Sequence, residues 1–177
     1  MDMIFQFRTL SDEAENFSMD FEVRYDTTLL DLHNFIAASL GYNPMEMASF
    51  FLSDSEWEKL REFTLFDMGT DNVDIDPDDE IEPPVQMGGI LLSQVIRQKF
   101  DRLLYVFDFF TERQLFIELL EAKIAQDGVE YPRILELKGI APVQFAGLPQ
   151  DELIDREIEE DFMNLQGEDL FDDDSED

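Results

Sequence analysis

The only histidine, His33, and the aspartate Asp108 are the side chains whose types and settings could do chemistry in this chain. His33 stands one turn after Leu29 on an apolar helical stripe, and Asp108 lies inside an apolar, aromatic run. A histidine beside a carboxylate can act as a general base or hold a divalent metal. We expect instead that His33 is a core-edge residue with a hydrogen-bond partner, and that Asp108 forms an ion pair or bonds neighbouring backbone. A cleft joining the two side chains would favour catalysis.

An acidic stretch over residues 71–80 has carboxylates at alternate positions, as a calcium loop does. Asp74, Asp76 and Asp78 fit positions 1, 3 and 5 of an EF-hand. That frame puts Asp79 where the EF-hand needs glycine and has no glutamate at its last position, so the stretch is not an EF-hand. A weak cation site is the alternative to a solvated acidic loop. We expect no cofactor, because the sequence has no phosphate-binding, dinucleotide-binding or zinc-protease motif.

The balance of charge limits the partners that the chain can bind. It has 43 acidic and 12 basic residues, which gives a net charge of −31, and no cysteine. Phosphate backbones and anionic membranes repel such a surface, so we expect no direct nucleic-acid binding and no membrane association. A basic protein or a divalent cation is the electrostatic complement, and mere solubility is the alternative. The lack of cysteine excludes disulfides and a thiol nucleophile.

The elements that must position these residues follow from periodicity. Apolar and polar residues alternate over 17–25 and, more weakly, over 3–8, which predicts a hairpin. Helical spacing predicts a helix that is capped by Thr27 or Thr28 and ends at Gly41. The sequence then predicts a short buried strand over 47–52, a helical turn that contains Trp57 and Leu60, and a second helix over about 90–99.

The last part of the chain contains the most apolar segment and the most acidic one. Residues 102–110 and 115–122 predict two antiparallel strands, both buried on both faces, while the prolines of 131–149 predict irregular structure. We therefore predict an α+β domain over residues 1–149, with a mostly antiparallel sheet, two main helices and an inserted acidic loop at 67–84. Residues 150–177 form an acidic tail that we expect to be partly disordered.

The tail is the best candidate for a binding element. Four apolar residues are embedded in its acidic sequence: Phe162, Leu165, Leu170 and Phe171. Acidic–hydrophobic segments of this kind can fold against a basic, apolar groove on a partner. A solubilising terminus with no partner is the alternative.

The order of these elements resembles a known family. Residues 3–8, 28–33, 104–109 and 131–133 carry the similarity, together with Gly-Tyr after the first helix and the later Ala-Pro pair. They are similar to the plasmid-borne open-reading-frame-three family of the Ri-plasmid type, which is also carried as a passenger gene of an insertion element. The resemblance spans most of residues 3–145. It implies an α+β fold and no established activity.

The chain departs from that family where relatives carry polar residues. Family members typically continue the Tyr-x-Phe-Asp-Phe stretch with Gly-Asp, Trp and His, whereas residues 110–115 here read Phe-Thr-Glu-Arg-Gln-Leu. A second typical histidine is matched by Glu46, and only His33 and Asp108 of the polar set remain. The resemblance therefore lowers the expectation of catalysis.

We conclude from the sequence that the chain is a soluble, cytoplasmic monomer or homodimer, and a non-catalytic interaction module. Its acidic loop and tail would meet a basic protein partner, and mimicry of nucleic-acid charge is a variant of this hypothesis. The alternative is a carboxylate-based hydrolase, with or without a divalent metal, whose site lies near His33 and Asp108.

Overall fold

Two paired strands begin the fold, as the alternation of apolar and polar residues predicts. The computed structural model describes residues 2–67 and 82–145. Strand β1 (Met3–Ser11) pairs antiparallel with β2 (Ser18–Arg24), which places Phe7 opposite Phe21. The two rings stack with their centroids 5.5 Å apart. One face of the hairpin is therefore an aromatic layer in the core.

The long helix α1 (Leu29–Leu40) follows, and both of its predicted ends are confirmed. The Thr28 hydroxyl accepts a hydrogen bond from the backbone N–H of Asp31 at 3.1 Å. At the other end Gly41 has φ 73°, a left-handed conformation that glycine adopts without a steric penalty. The helix packs on the aromatic face of the sheet, with the Phe35 ring 5.4 Å from that of Phe21.

Eight strands form one sheet in the order β5-β4-β3-β6-β7-β1-β2-β8. The remaining strands are β3 (Ser49–Ser53), β4 (Lys59–Thr64), β5 (Val85–Gln86), β6 (Arg102–Asp108), β7 (Arg113–Ile124) and β8 (Arg133–Lys138). All neighbouring pairs are antiparallel except β4 with β5. The prediction of a mostly antiparallel α+β sheet is confirmed, although the sheet is mixed at one edge.

The prediction of a second main helix over 90–99 is wrong. A 3₁₀ turn (Met87–Gly89) leads to α2 (Leu92–Val95), which has only four residues. The Asp101 carboxylate accepts hydrogen bonds from the backbone N–H groups of Arg97 and Gln98 at 2.7 and 3.0 Å. These amides are the donors that a longer helix would need, so the side chain of Asp101 replaces the next helical turn.

Two strands occur where the sequence predicted a helical turn or irregular structure. The Asp54 carboxylate accepts from the backbone N–H of Glu56 and Glu58, and this turn leads into β4 instead of a helix. Strand β8 lies between the prolines that suggested an irregular segment, and it pairs with β2 along the sheet edge. The prolines flank this strand without interrupting its six residues.

The predicted pair of central strands is confirmed, with one difference. Strands β6 and β7 pair antiparallel, and β6 is buried along its middle five residues. In β7, buried Leu115, Ile117 and Leu119 alternate with less buried neighbours. The prediction that both strands are buried on both faces is therefore wrong for β7, because one face of this strand carries polar residues such as Gln114 and Glu118.

Some predicted features fall outside the described residues. Residues 1–144 form one compact unit, and of the second unit, 145–177, the structure describes only Phe145. The acidic loop predicted at 67–84 lies outside from 68 to 81, as does the whole tail predicted at 150–177. Within the described ranges, no helix has the length and apolar character needed to cross a bilayer.

Candidate functional site

His33 lies on the buried face of α1, with a partner on each ring nitrogen. Its Nε2 lies 2.8 Å from the backbone carbonyl oxygen of Pro44, and its Nδ1 lies 2.9 Å from the Tyr105 hydroxyl. A carbonyl oxygen can only accept, so Nε2 carries the proton and Nδ1 of the neutral ring accepts from Tyr105. Burial lowers the pKa of His33 below its ordinary value and outweighs the opposing effect of the Pro44 carbonyl. Both nitrogens are thus occupied by protein groups.

Two buried tyrosines line the same region between α1 and β6. Tyr105 projects from β6 into the core, and Tyr42 follows the helix with its ring 5.1 Å from that of Phe107. The Tyr42 hydroxyl donates to the backbone carbonyl of Pro142 at 2.5 Å. Burial raises the pKa of both phenols above the ordinary value. They are therefore neutral hydrogen-bonding groups at physiological pH.

Asp108 closes the turn between β6 and β7. Its carboxylate accepts from the Thr111 hydroxyl at 2.6 Å and from the Thr111 backbone N–H at 3.4 Å, and it lies 3.5 Å from Nη1 of Arg113. Burial alone would raise the pKa of Asp108, but the bonds from Thr111 and Arg113 outweigh it and hold the pKa below its ordinary value. These are the contacts expected of a structural carboxylate.

Arg113 is the centre of a polar cluster, which we call the Arg113 cluster and define as Glu13, Asp108, Arg113 and Gln144. Its guanidinium forms a bidentate pair with Glu13, at 2.7 Å for each bond, and also donates to the backbone carbonyl of Gln144 at 3.2 Å. The guanidinium lies 5.0 Å from the Phe107 ring centroid. The pair with Arg113 holds the pKa of Glu13 below its ordinary value.

The cluster ties together segments that are distant in sequence. Gln144 accepts a hydrogen bond from the Asn43 backbone N–H at 2.7 Å and donates to the Asn43 carbonyl at 3.1 Å. The β1–β2 turn, the β6–β7 turn, the segment after α1 and the segment after β8 therefore meet at Arg113. The arrangement stabilises this end of the sheet, and it contains no activated nucleophile.

His33 and Asp108 have separate hydrogen-bond partners among the described residues. The side-chain bonds of His33 go to Pro44 and Tyr105, while those of Asp108 go to Thr111 and Arg113. None of five clefts that open on the described surface is lined by either residue. A hydrolase site near His33 and Asp108 therefore stays a prediction, without support from these five clefts.

The other predicted site residues lie outside the described residues. This applies to the weak cation candidates Asp74, Asp76 and Asp78, and to the tail residues Phe162, Leu165, Leu170 and Phe171. Over residues 2–67 and 82–145, no three histidine, aspartate or glutamate side chains are grouped so as to hold a metal ion.

Sequence reasoning missed Arg113, Tyr42 and Tyr105. One signal was available for Arg113, which is one of only 12 basic residues and begins a buried strand. Its main partner, Glu13, is 100 positions away, and no local spacing rule predicts such a pair. The two tyrosines read as ordinary aromatic core residues, and only their hydroxyl partners distinguish them.

Comparison with known proteins shows the fold and the family of the chain. No curated protein matches the chain. Among solved structures, the crystal structure of MM3350, a protein of unknown function from Methanosarcina mazei Go1, has a TM-score of 0.63 at 20% sequence identity. The match covers 100% of this chain and 95% of that chain, and at this identity it shows the fold alone.

The family model described as "Plasmid pRiA4b ORF-3-like protein" matches residues 4–150. This range contains β2 to β8, both helices, all four members of the Arg113 cluster and all of β1 except Met3. It also contains the four stretches on which the sequence resemblance rested, again except for Met3. The chain therefore belongs to the plasmid pRiA4b ORF-3-like family.

Proposed function

We propose that this chain is a non-catalytic interaction module whose acidic loop (67–84) and acidic tail (150–177) bind a basic protein partner. The observation that supports the proposal is that most basic side chains of the described residues form ion pairs with acids of the same chain. Each such pair cancels one acid, and the acids in excess of these pairs give the chain its negative charge.

Eight of the eleven basic residues in the described ranges lie within ion-pair distance of a carboxylate. The eight are Arg8, Arg24, Arg61, Arg102, Arg113, Lys123, Arg133 and Lys138. Pairing at short range makes each of them a dipole when seen from a distance. The long-range field of the module is therefore set by the excess of acids over bases.

Glu22 forms a buried ion pair with two basic side chains. Its buried carboxylate lies 2.7 Å from Nζ of Lys123 and 2.7 Å from Nε of Arg133. Burial alone would raise the pKa of Glu22, but hydrogen bonds from these two cations outweigh it and hold the pKa below its ordinary value. Two of the basic residues, Lys123 and Arg133, therefore pair with a single glutamate of the sheet.

The surplus of acid is concentrated in two segments. Of the 43 acidic residues, 20 lie in residues 68–81 and 146–177, where Arg156 is the single base. Such a density of charge steers a basic partner and raises its rate of association. Four apolar residues of the tail would add hydrophobic contacts to the electrostatic attraction: Phe162, Leu165, Leu170 and Phe171.

The same distribution argues against direct binding of nucleic acid. Affinity for DNA or RNA needs Lys and Arg side chains that can replace the counterions of the phosphates. In the described residues most of these side chains already have carboxylate partners. The proposed partner is therefore a protein.

The proposal is tested by capturing partners from a lysate of the host with the full chain at low and high salt. A loop variant changes Asp71, Asp74, Asp76, Asp78, Asp79 and Glu80 to their amides. A tail variant replaces Phe162, Leu165, Leu170 and Phe171 with alanine. We expect a basic protein that wild type retains at low salt only, and that both variants retain less well.

A matched control separates a local effect from a change in net charge. It changes six exposed acids of the described surface to amides: Asp12, Glu15, Glu56, Glu58, Asp127 and Glu130. We expect it to retain the partner like wild type. Equal losses in the control and the loop variant would mean that net charge alone drives retention, and the proposal would fail.

A further inference from the structure

Three basic residues of the described ranges form no ion pair within them: Lys59, Arg97 and Lys99. Lys59 lies alone over the Phe51 ring, whereas Arg97 and Lys99 are two positions apart and line the same clefts. In a chain with 43 acids, it is unusual that two bases so close in sequence form no side-chain ion pair with any described residue.

One cleft differs from the others in charge. It has a volume of about 300 Å³, and we call it the Met3 cleft. It is lined by Met3, Phe5, Tyr25, Ile96, Leu119 and Ala122, together with Arg97, Gln98 and Lys99. Each of four other clefts on the described surface has at least one aspartate or glutamate in its lining, and this one has none.

The basic segment beside the cleft is held in place by its backbone. The Asp101 carboxylate binds the N–H groups of Arg97 and Gln98, and Phe100 donates its N–H to the Leu119 carbonyl at 3.0 Å. The Leu119 N–H in turn donates to the Asp101 carbonyl at 2.9 Å. These bonds fix the segment against β7, so the site needs little ordering when a ligand binds.

The cationic groups themselves retain donors for a ligand. In its side-chain contacts, Arg97 donates from Nε to the Gln94 carbonyl at 3.1 Å, and its terminal nitrogens form none within the described residues. The Lys99 ammonium lies 5.0 Å from the centroid of the exposed Phe100 ring. Both groups can therefore donate to an anion.

We propose that the Met3 cleft binds a small amphiphilic carboxylate. Its apolar chain would lie against Phe5, Ile96 and Leu119, which form the buried part of the lining, and its carboxylate would bind Arg97 and Lys99. The volume lies at the lower end of the range for small-molecule sites, about 300–1,000 Å³. The net charge of the chain does not prevent this, because charges beyond about 8 Å are largely screened at physiological salt.

The inference is independent of the proposed protein partner, and octanoate is the probe that tests it. The full chain is titrated with octanoate, octanol and inorganic phosphate, and the amide resonances are followed by NMR. We expect octanoate to bind and to shift the amides of Ile96, Arg97, Gln98 and Lys99. Octanol, which lacks the charge, should bind at least about tenfold more weakly. Phosphate should not bind at the same concentration, because it offers nothing to the apolar lining.

Two variants and a charge-matched control complete the test. Arg97→Gln with Lys99→Gln should weaken octanoate binding about tenfold or more, because the charge-assisted bonds are lost. Ala122→Glu places an acid at an exposed lining position and should have the same effect. Lys59→Gln with Lys138→Gln has the same net charge and should bind like wild type. Octanoate binding that is equal in all proteins, binding of phosphate as strong as that of octanoate, or no octanoate binding would each overturn the proposal.

Discussion

Replacing Arg113 with glutamine tests whether the Arg113 cluster holds its end of the sheet together. The guanidinium is 11% exposed and donates to Glu13, Asp108 and Gln144. Glu13 is 37% exposed, so solvent screening limits that bidentate pair to about 1 kcal/mol. Losing the donors to Asp108 and to the Gln144 carbonyl adds about 1–2 kcal/mol. We therefore expect Arg113→Gln to lower the free energy of unfolding by about 2–3 kcal/mol.

Urea unfolding of the full chain at neutral pH measures this change. Arg113→Lys keeps the charge but not the planar fork, so it should fall between wild type and Arg113→Gln. Lys138→Gln removes an exposed ion pair and should stay within about 0.5 kcal/mol of wild type. A loss for Arg113→Gln no larger than that of Lys138→Gln would show that Arg113 does not stabilise this end of the sheet.

The pH dependence gives a second, independent readout of the same variant. Arg113 holds the pKa of Glu13 below its ordinary value, and Thr111 together with Arg113 does the same for Asp108, so the folded state binds fewer protons than the unfolded state near pH 4. This stabilisation is present above the ordinary carboxyl pKa and is lost as the pH falls through the lowered values. The difference between wild type and Arg113→Gln should therefore shrink from about pH 5 to pH 3. A difference that stays constant over this range would contradict the assignment.

Two further predictions concern His33 and Gly139. The pKa of His33 is lowered, so the neutral ring contributes stability above about pH 6.5 that is lost as the pH falls further. An NMR titration of the single imidazole should therefore show a midpoint below that pH. Adding Zn²⁺ should not change this midpoint. A raised midpoint or a zinc-dependent shift would contradict the hydrogen-bonding arrangement. Gly139 has φ 67°, and a Cβ there would lie 2.4 Å from the Asn16 carbonyl oxygen, whereas Gly128 has φ 77° and open space. Urea unfolding should show a loss of about 1 kcal/mol for Gly128→Ala and a larger loss for Gly139→Ala, and equal losses would show that the clash is relieved.

Local sequence patterns predicted those elements in which the polarity of each residue matches its burial. The β1–β2 hairpin and α1 follow from alternation and from capping residues such as Thr28 and Gly41, and the structure confirms them. The second helix failed because the carboxylate of Asp101 competes for its backbone donors, which helical spacing does not reveal. Strand β8 was missed because its apolar residues are half-exposed and its neighbours are prolines.

The candidate site was less predictable than the fold because its contacts are long-range. The sequence singled out His33 and Asp108 by residue type, but their partners come from segments brought together only by the fold. Tyr105 is 72 positions from His33, and Gln144 is 101 positions from Asn43. The charge pattern, by contrast, is a property of composition, although composition does not show that most of the described bases are internally paired.

Binding of a basic protein by the acidic loop and tail is tested by the affinity for the captured partner as a function of salt. Calorimetry would compare wild type, the loop variant, the tail variant and the six-amide control. We expect affinity to fall steeply with salt for wild type and the control. For the loop variant we expect weaker binding that falls less steeply with salt, because only the acids of the tail remain. The tail variant should bind more weakly and keep the salt dependence. Equal affinity and equal salt dependence for all four proteins would show that the acidic loop and tail do not bind the partner.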